Sequence, residues 1–147
     1  MSCLEQNFAM IGTIEVFDLS ALSESVNLYL PNRTLTASPM KSGTSPTLVP
    51  LHPGSAKITE SAVRGRGGSG YEVSLTWQVH CPTTAEIAVL EAMKYNAKHL
   101  RITAFYNAVA YILADADHYQ MDYQQEGQYY QCSVKVCSVN GIQQVLS

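Results

Sequence analysis

From Tyr71 to His80 the chain alternates without a break. Tyr71, Val73, Leu75, Trp77 and Val79 share one parity, and Glu72, Ser74, Thr76, Gln78 and His80 the other. Successive side chains of a strand point to opposite faces, so this is a strand with one face on a core and the other toward water. Tyr129–Val139 repeats the pattern, with Tyr130, Cys132, Val134 and Val136 set against Gln131, Ser133 and Lys135. Shorter apolar runs predict further strands at 10–16, 55–62, 100–106, 109–113, 118–124 and 142–146. Turn chemistry separates the later ones: Asn107-Ala108, Ala114–Asp117, Gln125–Gly127 and Asn140-Gly141.

The period changes once. Pro82 closes a strand, and Thr83 is followed three positions later by Glu86, a capping box that satisfies two otherwise orphaned amide donors. Ile87, Leu90, Met93 and Ala97 then recur along one stripe, predicting a helix over about 84–98, with Glu91 and Lys94 spaced to pair on its wetter side. The segment 31–53 behaves differently. Pro31, Pro39, Pro46, Pro50 and Pro53 exclude a helix and permit only short or edge strands. It reads as a long loop excursion from the body of the domain, of a length that is usually functional or disordered. The fold class that follows is α+β, mostly antiparallel β in a sandwich or barrel, with one helix packed on a sheet. A chain of 147 residues fits a single domain spanning 1–147.

Composition narrows the partners. Only 14% of residues are charged, against an average near 25%. A surface so poor in charge is covered by neutral polar groups or by other protein, which favours an assembly subunit. The net charge of −3 provides no bulk attraction to nucleic acid or to an anionic membrane. No apolar run approaches the roughly 20 residues that span a bilayer, and the N-terminal residues carry no basic-then-apolar signal. Cys3, Cys81, Cys132 and Cys137 read as free thiols, since Cys132 and Cys137 fall on opposite faces of one strand.

No constellation points to catalysis. Gly65-x-Gly67-x-x-Gly70 matches a dinucleotide fingerprint in letters, but a strand follows it where a helix is required. Arg64 and Arg66 amid these glycines could touch phosphate or RNA, since glycine frees the backbone to follow an anion, and the plainer alternative is a flexible hairpin loop. His80 and Cys81 are adjacent on a strand and point apart, so His80 is a poor base for that thiol. Asp115, Asp117 and Asp122 lack the glycine and glutamate of a calcium loop. Metal, cofactor and catalytic residues are therefore expected to be none. Tyrosine tolerates a half-wet setting, and Tyr106, Tyr111, Tyr119, Tyr123, Tyr129 and Tyr130 crowd the C-terminal strands, so these six, with Arg64 and Arg66, are the interface candidates.

The order of features from Tyr71 to Val139 resembles a known group. A polar glycine loop precedes Tyr-Glu-Val-Ser-Leu-Thr-Trp-Gln-Val at 71–79. The helix start Pro-Thr-Thr-Ala-Glu stands at 82–86, Leu-Arg-Ile-Thr-Ala-Phe-Tyr at 100–106, Tyr-Ile-Leu-Ala at 111–114 and Tyr-Tyr-Gln-Cys-Ser-Val-Lys-Val at 129–136. This is similar to small virion and prophage structural proteins of phages that infect gut Bacteroidetes-type bacteria. The chain departs from them in its alanine-containing turns at Asn107-Ala108 and Ala114–Asp117. The resemblance implies a tail-tube or head–tail connector subunit, a β-sandwich or barrel with one flanking helix, and a long loop contacting neighbours in a ring. It implies a non-enzymatic protein found in the virion, or in host cytoplasm before assembly, whose partners are its own copies or other virion proteins. Two alternatives stay open: a small-molecule or carbohydrate binding module stacking ligands on Trp77 or exposed tyrosines, and a small enzyme using Cys81 or Cys132 with a distant histidine.

Overall fold

The computed structural model describes residues 11–28, 32–65, 68–104 and 108–145. These form ten strands and one α-helix. The strands are β1 (Ile11–Asp18), β2 (Thr34–Leu35), β3 (Thr47–Leu48), β4 (Lys57–Gly65), β5 (Gly68–His80), β6 (Lys98–Ala104), β7 (Val109–Ile112), β8 (Tyr119–Glu126), β9 (Tyr129–Ser138) and β10 (Ile142–Val145). The helix, α1 (Thr84–Tyr95), lies between β5 and β6. One sheet has six strands in the order β2-β10-β7-β6-β1-β3, and the other has four in the order β4-β5-β9-β8. Every pairing is antiparallel except β2 with β10. The class is α+β with a predominantly antiparallel arrangement, as the alternation predicted.

The two sheets share one core. Ile14, Val16, Leu100, Ile102, Ala110, Ile112 and Ile142 come from the six-stranded sheet, and Val73, Leu75, Trp77, Val79, Cys132, Val134 and Val136 from the other. Leu90 and Met93 of α1 complete it with no exposed surface. Burying one such aliphatic side chain contributes about 1.5–3 kcal/mol. The helix begins as expected: Glu86 N–H donates to Thr83 Oγ1 at 3.2 Å, and Thr83 N–H donates to Glu86 Oε1 at 3.0 Å. It ends earlier than its stripe suggested. Asn96 turns to an extended conformation, and Lys98 and His99 are drawn into β6 opposite Asp18 and Phe17. Ala97 is therefore not on the helix.

The C-terminal strands are not one continuous meander. β6 and β7 form a hairpin in the six-stranded sheet, whereas β8 and β9 form one in the four-stranded sheet. Asn140-Gly141 consequently carries the chain across to β10 in the first sheet rather than folding it back on β9. Gly141 has φ of +59°, and a Cβ there would lie 2.7 Å from Glu60 Oε1 and 2.8 Å from Tyr71 Cβ. Only glycine fits both constraints.

The proline-rich segment does not stand off the domain. Its two-residue strands β2 and β3 occupy opposite edges of the six-stranded sheet. On that sheet's outer side Leu35 and Met40 of this segment, with Leu22, Val26 and Leu28 from the chain just before it, pack around Phe17, Tyr111 and Leu113. Hydrogen bonds lace it down: Gln143 Nε2–H to Asn32 O at 2.6 Å, Asn32 N–H to Asn140 Oδ1 at 2.6 Å, and Tyr111 O–H to Ser38 Oγ at 3.3 Å. Arg33 ties it to the second sheet through Glu60 at 2.5 Å and sits 4.2 Å over the Tyr71 ring. Burial outweighs Arg33 and holds the Glu60 carboxyl above its ordinary range.

His99 is 1% exposed on the same outer side. Ala114 N–H donates to its Nδ1 at 3.0 Å, which leaves Nε2–H to donate to Leu19 O at 3.3 Å. Those bonds suit a neutral ring, and desolvation lowers its pKa.

Two outcomes follow from this packing. Gly141→Ala should cost about 2–4 kcal/mol, combining a left-handed backbone with overpacking, as read by urea denaturation. The unfolded chain takes up a proton at His99 below about pH 6.5 before the folded chain does, so stability falls as pH falls through that window, by up to about 1.4 kcal/mol per unit. Denaturation midpoints at about pH 7.5 and about pH 5.5 should therefore converge in His99→Gln relative to the parent protein. Glu60, common to both proteins, cancels in that comparison.

Candidate interaction surface

The sheets differ in how they end. The six-stranded sheet stops at two-residue strands, which expose few backbone groups. The four-stranded sheet stops at β4, nine residues long, and β8, eight residues long. Among the described residues no strand pairs with the outer edge of either. A long strand with unpaired N–H and C=O groups is a template for another strand.

Cross-strand rows run the full width of this sheet. On the core side one row reads Ile58, Leu75, Val134, Met121; on the solvent side the next reads Lys57, Thr76, Ser133, Asp122. The rest of the solvent face mixes neutral polar residues, Thr59, Ser74, Gln78, Gln131 and Gln124, with Glu126 and an ion pair of Lys135 with Glu72 at 3.5 Å. At its end stands a ring stack. His52 lies 3.8 Å from His80 with planes 14° apart, and His80 lies 5.5 Å from Tyr129 at 22°. His80 Nε2 is 3.1 Å from Gln78 Oε1, and Tyr129 O–H donates to Glu126 at 2.9 Å, which raises the phenol's pKa. His52 was not legible as part of this group. The turn after Pro50 returns it to β5, where His52 N–H donates to Gln78 O at 2.8 Å.

The tyrosines do not make one surface. Tyr111 is buried on the outer side of the six-stranded sheet beneath the proline-rich segment. Tyr119, Tyr123 and Tyr130 share the core side of the four-stranded sheet. There Tyr119 O–H donates to Met93 O at 2.9 Å, its pKa pushed up by burial, and Lys94 lies 5.7 Å over Tyr123. Tyr129 faces the opposite way, in the histidine stack. Tyr106 and Arg66 lie outside the described residues. Arg64 belongs to β4, since β4 and β5 continue into the glycine segment as far as Gly65 and Gly68. Trp77 has no exposed surface, so it cannot be a stacking platform. It sits on the core-facing parity of β5, as its alternation required. Its indole N–H has no hydrogen-bond partner among the described residues.

Cys81, Cys132 and Cys137 are free thiols. Cys132 is fully buried, and desolvation lifts its thiol to about 12, far from a thiolate at neutral pH. Cys81 is exposed at φ +46°, where the chain leaves β5 for α1, and its N–H donates to Gln128 O at 3.0 Å. Among the described residues no group of three His, Cys, Asp or Glu side chains is placed to hold a metal ion. Nor is any helix among them long and apolar enough to cross a membrane. A shallow apolar groove of about 210 Å³ runs between α1 and the β1/β3 edge, lined by Val16, Thr47, Val89 and Met93.

No family model, no curated protein and no solved structure matches the chain.

Brief treatment of the folded protein with iodoacetamide at neutral pH should label Cys81 and spare Cys132 until denaturant is added, as peptide mass spectrometry would read. Labelling of Cys132 at the rate of Cys81 would contradict its burial.

Proposed function

We propose that this chain is a non-enzymatic assembly subunit that acts by associating with copies of itself. The observation that carries the reading is the pair of long edges on the four-stranded sheet, set against the two-residue edges of its partner sheet. A domain that ends one sheet in minimal strands and the other in full-length ones has a preferred direction of growth. The low charge content supports the same reading, because few charges need to be desolvated when surfaces meet. The resemblance of Tyr71–Val139 to phage structural proteins provides the setting: a tail or head–tail connector component of a virion, resident in host cytoplasm before assembly. Other virion proteins are then its further partners, and neither nucleic acid nor a membrane is among them.

A second reading draws on the His52–His80–Tyr129 stack. Rings beside the amides of Gln78 and Gln131 suit a planar or sugar ligand, with the stack replacing Trp77 as the platform. A cysteine-dependent enzyme is the weaker reading, since Cys132 is held as a thiol in the core.

Size-exclusion chromatography with light scattering tests the first reading. The mass should exceed that of the 16.1 kDa chain and rise with concentration. A strict monomer across the accessible range would end it.

A further inference from the structure

We infer that copies join head to tail, β8 of one pairing antiparallel with β4 of the next, so that the four-stranded sheets run on as one sheet. This rests on the self-association reading and specifies its geometry. Strand direction is the first support. Three antiparallel steps separate β4 from β8, so the two edges run in opposite directions. A copy placed alongside with its strands in the same orientation therefore presents β4 antiparallel to β8, with the ladder's hydrogen-bonding pattern unbroken.

The side chains at the two edges agree with the backbone. Carrying the rows across the junction in the same register places Met121 beside Ile58 of the next copy, which extends the apolar row Ile58, Leu75, Val134, Met121. It places Asp122 opposite Lys57 of the next copy on the solvent face, where both residues are exposed. Among the described residues of its own chain, Asp122 accepts a hydrogen bond from Gln120 Nε2 at 3.1 Å and has no cationic partner. Opposite charges facing each other across a strand pair stabilise it, and like charges destabilise it. Pairing β8 with β8 would instead bring the acidic Asp122 and Glu126 of both copies together. Head-to-tail contacts are heterologous, and the twist between neighbouring strands turns each copy relative to the last, so the product is a ring or a helical filament.

Charge exchange tests this by sedimentation velocity over a concentration series. Lys57→Glu alone and Asp122→Lys alone each place like charges at every junction, and each should move association to about tenfold higher concentration. The double variant K57E/D122K should recover parental assembly. An equimolar mixture of the two single variants should recover it too, because each then offers the other an oppositely charged edge. Both side chains are solvent-facing, and circular dichroism and melting temperature establish that the variants are folded. A parent that never assembles overturns the self-association reading and this inference with it. A parent that assembles while the single variants assemble equally well, or are not rescued by mixing, overturns the head-to-tail edge alone. Stronger association of D122K by itself would also overturn it, since that outcome belongs to β8 meeting β8.

Discussion

Two sheets, each apolar on one side, are held together by the burial of those sides against one another. Leu75, Trp77 and Val134 from one sheet and Ile14, Leu100 and Ile112 from the other lie in a single dry layer. Neither sheet could keep its apolar side in water, so the pairing of strands within each depends on the contact between them. The helix serves the same layer. Leu90 and Met93 enter it, while Tyr119 fastens the helix backbone to β8. The indole N–H of Trp77 is the polar cost visible in this layer among the described residues.

A second, thinner layer lies outside the six-stranded sheet. There Leu22, Val26 and Leu28, with Leu35 and Met40 of the proline-rich segment, cover Phe17, Tyr111 and Leu113, which a bare sheet would leave in water. Beneath this cover Arg101 donates to Glu15 through Nε and Nη2, at 3.0 and 2.8 Å, and lies 5.1 Å over the Phe17 ring. His99 fastens β6 to Leu19 in the turn after β1 and to Ala114 in the β7–β8 connection. The six-stranded sheet therefore has an apolar cluster on each side and ends in a two-residue strand at each edge. The four-stranded sheet has one solvent-facing side and two long edges. This asymmetry is what directs the functional reading toward the second sheet.

Within that sheet, the polar side offers two kinds of chemistry. Its middle sets Ser, Thr and Gln around the Lys135–Glu72 ion pair, and its end carries stacked rings beside carboxamides. Its long edges offer backbone groups in register with residues of complementary charge and hydrophobicity. The first arrangement suits a ligand, and the second suits another copy of the chain. The tyrosines cannot unite the two, because three of them point into the core side while Tyr129 points out.

Much of this was legible from the order of residues. Alternation in 71–80 and 129–139 identified the strands and which residues of each face the core, because a strand's side chains must alternate and a buried face must be apolar. Thr83 and Glu86 marked the helix start through local hydrogen bonds. Five prolines ruled out a helix in 31–53. The assignment of strands to sheets was not legible. β7 and β8 follow one another closely and carry similar patterns, yet they belong to different sheets, and nothing local distinguishes a turn within a sheet from a crossing between sheets. The helix end was decided in the same way, since Lys98 and His99 gained partners in β1 that a helix would have denied them. The stacking of His52 on His80, the burial of Trp77 and Tyr111, and the close fit at Gly141 likewise depend on segments far apart in the chain. Local chemistry determined what each segment is, and long-range pairing alone decided what it lies against.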